Sequence, residues 1–158
     1  MVKNILVPID FRVASLNTLK LALDYCKDQK VNAVLIYAQH LDDSITELMF
    51  YSPGKIIRSL RSPEFNHALE IIKNRFEGLL GDIRIELFHG NNKNFLNNFL
   101  SAQKIEEIFI PKTYELNITK RAFDPIPIIK KANIRVVQLE WNISYNKTEQ
   151  EQLTALFN

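Results

Sequence analysis

The chain has 158 residues, one domain's length, and a chain of this size buries roughly 68–70% of its unfolded surface. Hydrophobic residues make up 46% and charged residues 24%, but glycine is scarce: the 4 present are Gly54, Gly78, Gly81 and Gly90, against a usual share of roughly 7%, which argues against a glycine-rich loop in the second half. A net charge of +2 is too small to imply nucleic acid or an anionic membrane, the single Cys26 excludes an internal disulfide and a cysteine-based zinc site, and no apolar run approaches the roughly 18 residues of a membrane helix.

The start, Met1-Val2-Lys3-Asn4-Ile5, runs into a short apolar stretch, without the longer apolar region and small-residue cleavage site of a signal peptide. A cytoplasmic protein is expected. The sequons at Asn117, Asn142 and Asn146 then carry no meaning.

Ile5-Leu6-Val7-Pro8-Ile9, ending at Asp10, reads as a strand buried on both faces. Leu16, Leu19, Leu23 and Cys26 follow at helical spacing on one stripe, with Ser15 as the expected N-cap. Ala33 to Ala38 is a second buried strand. Strand, helix, strand within 40 residues predicts a parallel pair with a right-handed crossover. Ser44 and Glu47 have capping-box spacing ahead of a short helix, and Ser52-Pro53-Gly54 reads as a turn. Ser62-Pro63-Glu64 opens a clearer helix with Phe65, Leu69, Ile72, Phe76 and Leu79 inward and Gly81 just past its end. Ile83 to Leu87 alternates apolar with charged, as an edge strand does. A helix near Asn94 to Ala102 turns Phe95, Leu96 and Phe99 inward. Ile108-Phe109-Ile110 is again fully apolar. Asp124-Pro125 starts a short helix with Ile128 and Ile129 inward, and Ile134 to Leu139 is a second alternating edge strand.

Apolar strands belong at the centre of a sheet and alternating ones at its edges. The expected architecture is therefore three-layer α/β/α around a five-stranded parallel sheet of order 3-2-1-4-5. Its switch point falls between strands 1 and 4, where ligands of open α/β sheets bind. The loops that matter are 10–15, 39–43 and 111–120. Pro8 donates no ladder hydrogen bond, so pairing must loosen there.

At Ile5-Leu6-Val7-Pro8-Ile9-Asp10-Phe11, in the helix from Ser15 to Cys26 with its Leu21-Ala22-Leu23, and in the strand ending at Ala38-Gln39, the chain resembles the universal stress protein family over residues 2–139. The resemblance implies the universal stress protein, or adenine nucleotide alpha hydrolase-like, fold and a homodimer formed through the fifth strand, here Ile134 to Leu139. Members that bind ATP carry one glycine two residues after strand 4, another three residues on, and a Gly-Ser/Thr about ten residues later, where bare backbone approaches phosphate. This chain has Lys112, Glu115 and Asp124-Pro125 at those places, so it resembles the non-ATP-binding type and no cofactor is expected. Asp10 matches the family aspartate near the adenine pocket, and Gln39 lies in the loop that lines the base.

Asp10 is thus a candidate ligand contact beside Phe11, and equally an acceptor for the N–H groups of its own loop. Lys112, Thr113, Lys120 and Arg121 are candidates for holding an anion by charge, although solvated loop side chains are the commoner outcome. His40, Asp42 and Asp43 match no metal motif. Cys26 reads as core, and His67 and His89 have no nucleophile or paired carboxylate beside them, so no enzyme is identified. Residues 1–140 form the expected domain and 141–158 an extension, where Thr148 and Glu151 make a capping box ahead of Leu153, Leu156 and Phe157, and Trp141 is a candidate anchor. The reading is a cytoplasmic, dimeric, non-catalytic stress-response binding module with no nucleic-acid or membrane partner. The alternatives are an ATP- or AMP-binding or hydrolysing protein using Lys112, Lys120 and Arg121, or a small-metabolite sensor using the Asp10 crevice with residues 41–62 as a lid.

Overall fold

Five apolar segments pair as parallel strands in the order β3-β2-β1-β4-β5, as expected: β1 (Val2–Pro8), β2 (Lys30–Ala38), β3 (Leu80–Phe88), β4 (Glu107–Pro111) and β5 (Arg135–Leu139). The computed structural model describes residues 2–41, 49–141 and 148–157. Successive side chains of a strand face opposite sides, so each central strand feeds two cores. Ile5, Val7, Leu35, Tyr37 and Phe109 pack on one face, and Leu6, Val34, Ile36, Ile108 and Ile110 on the other. The first face is covered by α1 (Leu16–Tyr25), α2 (Pro53–Leu60), α3 (Pro63–Arg75) and α6 (Glu149–Leu156). The second is covered by α4 (Lys93–Ala102) and the single turn α5 (Ile126–Ile129). Asp82, Arg84 and Glu86 alternate along β3, and such charges protect an edge against unwanted pairing.

Pro8 is the last residue of β1. It pairs only with Ile36 of β2, and β4 reaches β1 only at Ile5 and Leu6, so the ladder loosens where proline withholds its donor.

Several local expectations change. Ser15 is no side-chain cap: it lies in the 3-10 turn Val13–Ser15, its hydroxyl donating to the Arg12 carbonyl (2.8 Å) and accepting from Asp10 N (3.3 Å). Helix α3 ends at Arg75, and the left-handed glycine of the following turn is Gly78 (φ 91), not Gly81. Gly81 sits in β3, where a Cβ would collide with the Asn32 amide. In α4 Leu96 and Leu100 are buried while Phe95 stays 43% exposed. Ser52-Pro53 begins helix α2 instead of a turn, with Ser52 Oγ accepting from Lys55 N. The same Ser-Pro start at Ser62 was legible because a long apolar stripe followed it, whereas α2 buries no residue completely. The short helix expected from Ser44 lies outside the described residues.

The C-terminal segment docks in cis. Thr148 Oγ1 accepts from Glu151 N (3.2 Å), the first half of the expected capping box, while the Glu151 carboxylate takes the Thr148 hydroxyl (3.3 Å) and not its backbone N–H. Leu153 and Leu156 enter the same buried cluster as Val13 and Phe65.

Candidate functional site

Beyond Pro8 the chain must leave the sheet at once. Ile9 N still donates to the Ile36 carbonyl (2.9 Å), and Phe11 then takes a left-handed backbone, φ 62. That conformation is costly for a residue with a Cβ. It is held because the Phe11 ring is buried against Tyr37 (centroids 5.0 Å apart) and Phe65 (5.3 Å).

The turn points the Asp10 carboxylate inward, where it is only 7% exposed and fully engaged. Oδ1 accepts from Arg12 N (2.9 Å), and Oδ2 accepts from Tyr114 OH (2.5 Å) and Asn117 N (2.9 Å). The last two donors belong to the loop between β4 and α5. Asp10 therefore takes the local role the sequence allowed, and extends it by tying that loop to the end of β1.

The same loop is fastened at further points. Tyr37 OH and Thr119 Oγ1 are 3.0 Å apart, Gln39 and Ala122 form an antiparallel bridge, His40 N donates to the Arg121 carbonyl (2.7 Å), and Phe123 N donates to the Ala38 carbonyl (3.1 Å). Tyr114 and Leu116 pack on Ala14, and the Tyr114 ring stacks on Trp141 at 4.5 Å. Trp141 Nε1 in turn donates to Thr18 Oγ1 (2.9 Å), so Trp141 anchors this loop to α1. The loop thus lies across the carboxyl ends of β1 and β2. Beneath it remains a cavity of about 10 Å³ bordered by Ile9, Asp10, Tyr37, Asn117 and Phe123, room for one water.

The structure separates the candidate cations. Lys112 is exposed beside Glu140 (3.9 Å), and its backbone N–H donates to the carbonyl of Leu139, the last residue of β5. Lys120 and Arg121 are exposed, and the Arg121 carbonyl takes the His40 N–H just past the end of β2, whereas Lys112 lies by β5 at the other side of the sheet. Thr113 is also exposed. Gln39 is half-buried, its carbonyl 2.7 Å from His89 Nδ1, while His89 Nε2 is joined to Tyr51 OH. Among the described residues no three His, Cys, Asp or Glu side chains stand close enough to hold a metal. Asp42 and Asp43 lie outside the described residues.

Sequence reasoning missed Tyr37, Tyr114, Asn117 and Thr119. Each is an ordinary loop or strand residue with no motif around it; the loop itself was marked by its place at the switch point and by the missing glycines.

Burial, then the Asp10 charge and hydrogen bond, push the Tyr114 hydroxyl above its ordinary 10.0. Above pH 10 the unfolded chain therefore loses this proton while the folded chain keeps it, so the stability it confers is complete below that pH and falls as pH rises. An alkaline titration followed by tyrosinate absorbance should find Tyr114 silent until the protein unfolds. Tyr114→Phe should remove one late-ionising group, and an unchanged late phase would show that Tyr114 had ionised with the exposed tyrosines.

No family model matches the chain, and no curated protein matches it by sequence. Solved structures do. A protein of the universal stress protein family from Burkholderia pseudomallei superposes with TM-score 0.53 at 16% identity, covering 87% of this chain and 95% of its own. A universal stress protein from Archaeoglobus fulgidus gives TM-score 0.51 at 15% identity, covering 86% and 92%. A universal stress protein from Lactobacillus plantarum gives 0.50 at 15%, covering 87% and 97%. This chain has the universal stress protein fold.

Proposed function

We propose that the protein is a non-catalytic binding module of the universal stress type that does not hold ATP phosphates at its switch point. The observation that carries this reading is the loop after β4, fastened over the ends of β1 and β2 by Asp10, Tyr37 and Gln39. Where a phosphate cradle needs bare glycine backbone, the chain offers Lys112, Glu115 and Asp124. Asp124 Oδ1 already accepts from Ile126 N (3.0 Å), so the amide at that helix start is taken. A cavity of about 10 Å³ has no room for a base or a metabolite.

Calorimetric titration with Mg-ATP and AMP is the test. No heat and no thermal shift are expected at about 1 mM nucleotide, a concentration that would reveal even a weak site. Saturable binding of either nucleotide would sink the reading. Phosphate release that disappears in Lys112→Ala would favour a nucleotide hydrolase instead.

A homodimer through β5 belongs to the same reading. It is supported by the position of β5 at the sheet edge, with a row of unpaired backbone groups and half-buried Val136 and Val137. Light scattering at about 50 μM should give twice the chain mass, and a monomer would remove this part. Cytoplasmic residence is supported by the lone, buried Cys26.

A further inference from the structure

The last turn of α4 and the approach to β5 leave a larger cavity of about 150 Å³ at the amino ends of β4 and β5. It lies at the foot of the sheet, away from the switch point. Leu100 and Ile105, both buried, and half-buried Ile134 form its apolar side. Asn97, Ser101, Lys104 and Asn133 form its polar side. Asn97 Oδ1 accepts from Asn133 N (3.3 Å), which joins the two walls and leaves the Asn97 amide N–H groups to donate elsewhere. Among the described residues, the Ser101 hydroxyl, the Asn133 side-chain amide and the Lys104 ammonium have no partner.

The backbone at the rim supplies a second observation. Lys104 takes φ 56, in the left-handed region. It closes α4 in a Schellman motif: Ile105 N donates to the Leu100 carbonyl (2.9 Å), and Lys104 N to the Ser101 carbonyl (3.1 Å). Glycine ordinarily holds that position, because a Cβ is strained there. The lysine side chain is exposed and borders the cavity. The acids that follow it are engaged elsewhere. Glu106 Oε2 accepts from Asn4 N (2.9 Å), and Glu107 is bound by Lys3 and Arg135. The cavity lining therefore carries one ammonium and no carboxylate.

The geometry points to this cavity as a binding site for a small monocarboxylate whose apolar body is the size of one ring. A space of roughly 150 Å³ takes a benzene-sized body. The leucine and two isoleucines receive that body. A carboxylate at the mouth is met by Lys104 Nζ and by the amide and hydroxyl donors around it. The carbonyl end of α4 opposes an anion there, so the ammonium is what makes the site accept one. Backbone strain of the kind at Lys104 persists at ligand-binding positions. Nucleotide binding at the switch point does not bear on this site, so the two readings fail separately.

Calorimetric titration of the full-length chain with sodium benzoate is the test. Saturable binding with a Kd of about 0.1–1 mM is expected, the range open to a ligand of so few atoms. Benzamide has the ring without the charge, and inorganic phosphate the charge without the ring. Each should bind at least about tenfold more weakly. Lys104→Met keeps the stem and the left-handed backbone, and should weaken benzoate about tenfold at an unchanged melting temperature. Lys104→Gly should weaken it as much while melting no lower than the wild type, since glycine adopts this backbone freely. No saturation by about 10 mM benzoate, equal affinity for benzamide or phosphate, or full affinity in Lys104→Met overturns the inference. Loss of affinity with a lower melting temperature in both variants would trace the loss to the fold, and overturn it as well.

Discussion

Replacing Asp10 with alanine is expected to cost about 3–5 kcal/mol, the largest effect of any single change near the switch point. The carboxylate accepts from three donors, Arg12 N, Tyr114 OH and Asn117 N, at 2.5–2.9 Å. Alanine leaves all three without an acceptor in a place where Asp10 itself is 7% exposed. Hydrogen bonds to a charged acceptor contribute about 1.5–3 kcal/mol each, and water recovers only part of that. For a domain of this size the melting temperature should fall by roughly 10 °C. Asp10→Asn keeps the volume and one acceptor, but brings an amide N–H against the Tyr114 hydroxyl or the backbone donors, so an intermediate loss is expected. The single tryptophan reports the local part. Trp141 stacks on Tyr114, so its emission should shift to the red when that loop lifts. Urea melts that place Asp10→Ala within about 1 kcal/mol of the wild type would mean the carboxylate is not what fastens the loop.

The sheet was legible because burial leaves a strong mark. Ile5 to Ile9, Ala33 to Ala38 and Ile108 to Ile110 are apolar at every position, as only strands buried on both faces can be, and Ile83 to Leu87 alternates as an edge does. Strand order then followed from which strands must be central. The local capping errors share a cause. Serine and glycine mark a helix end within a residue or two, and tertiary contacts decide among the candidates. Ser15 was drawn into the turn of Asp10, and Gly81 was needed where Asn32 reaches across from β2.

Asp10 and the switch-point loops were legible from the strand order, but the content of the loop after β4 only by subtraction. Missing glycines said that no phosphate cradle follows β4, but not what fills its place. The answer is a set of side chains with many partners: Tyr114, Leu116, Asn117, Thr119 and Phe123 contact residues roughly 80–110 positions away in sequence, and no local spacing encodes such pairings. Trp141 was expected to anchor the C-terminal helix and anchors the Tyr114 loop instead, because an aromatic beside a strand end meets whichever apolar surface the fold brings there. Closure of the switch point and docking of α6 meet on one segment. Asp10 holds the loop and Val13 holds Glu149, three residues apart in the turn after β1. A disturbance of that turn should therefore be felt by both.

Glu107 carries the second large expectation. It opens β4, is 2% exposed, and went unmarked in sequence because acids before an apolar run look like an ordinary strand start. The registers place it beside Ile5 of β1 and opposite Arg135 of β5. There it is bound by Lys3 Nζ and, at 3.1 Å, by Arg135 Nε. A carboxylate this deep persists only when paired. The two cations are not equivalent, since the Lys3 side chain is 20% exposed and that of Arg135 68%. Lys3→Met should therefore cost about 3 kcal/mol by leaving the buried charge half-paired, and Arg135→Met less than about 1. Glu107→Ala should cost about 2–4 kcal/mol, since both cations keep a route to water. Burial pulls the Lys3 ammonium down, but the hydrogen bond and charge of Glu107 outweigh it and hold it above its ordinary 10.5. The sign matches that of Tyr114: this stability is whole below pH 10.5 and declines as pH rises through the folded value. Double-mutant cycles against Glu107 separate the partners, with a coupling near 2 kcal/mol expected for Lys3 and only a few tenths, about 0.3, for Arg135. Equal couplings would mean that the exposed guanidinium holds the buried carboxylate as firmly as the sheltered ammonium does, and that burial of the cation is not what decides the pairing.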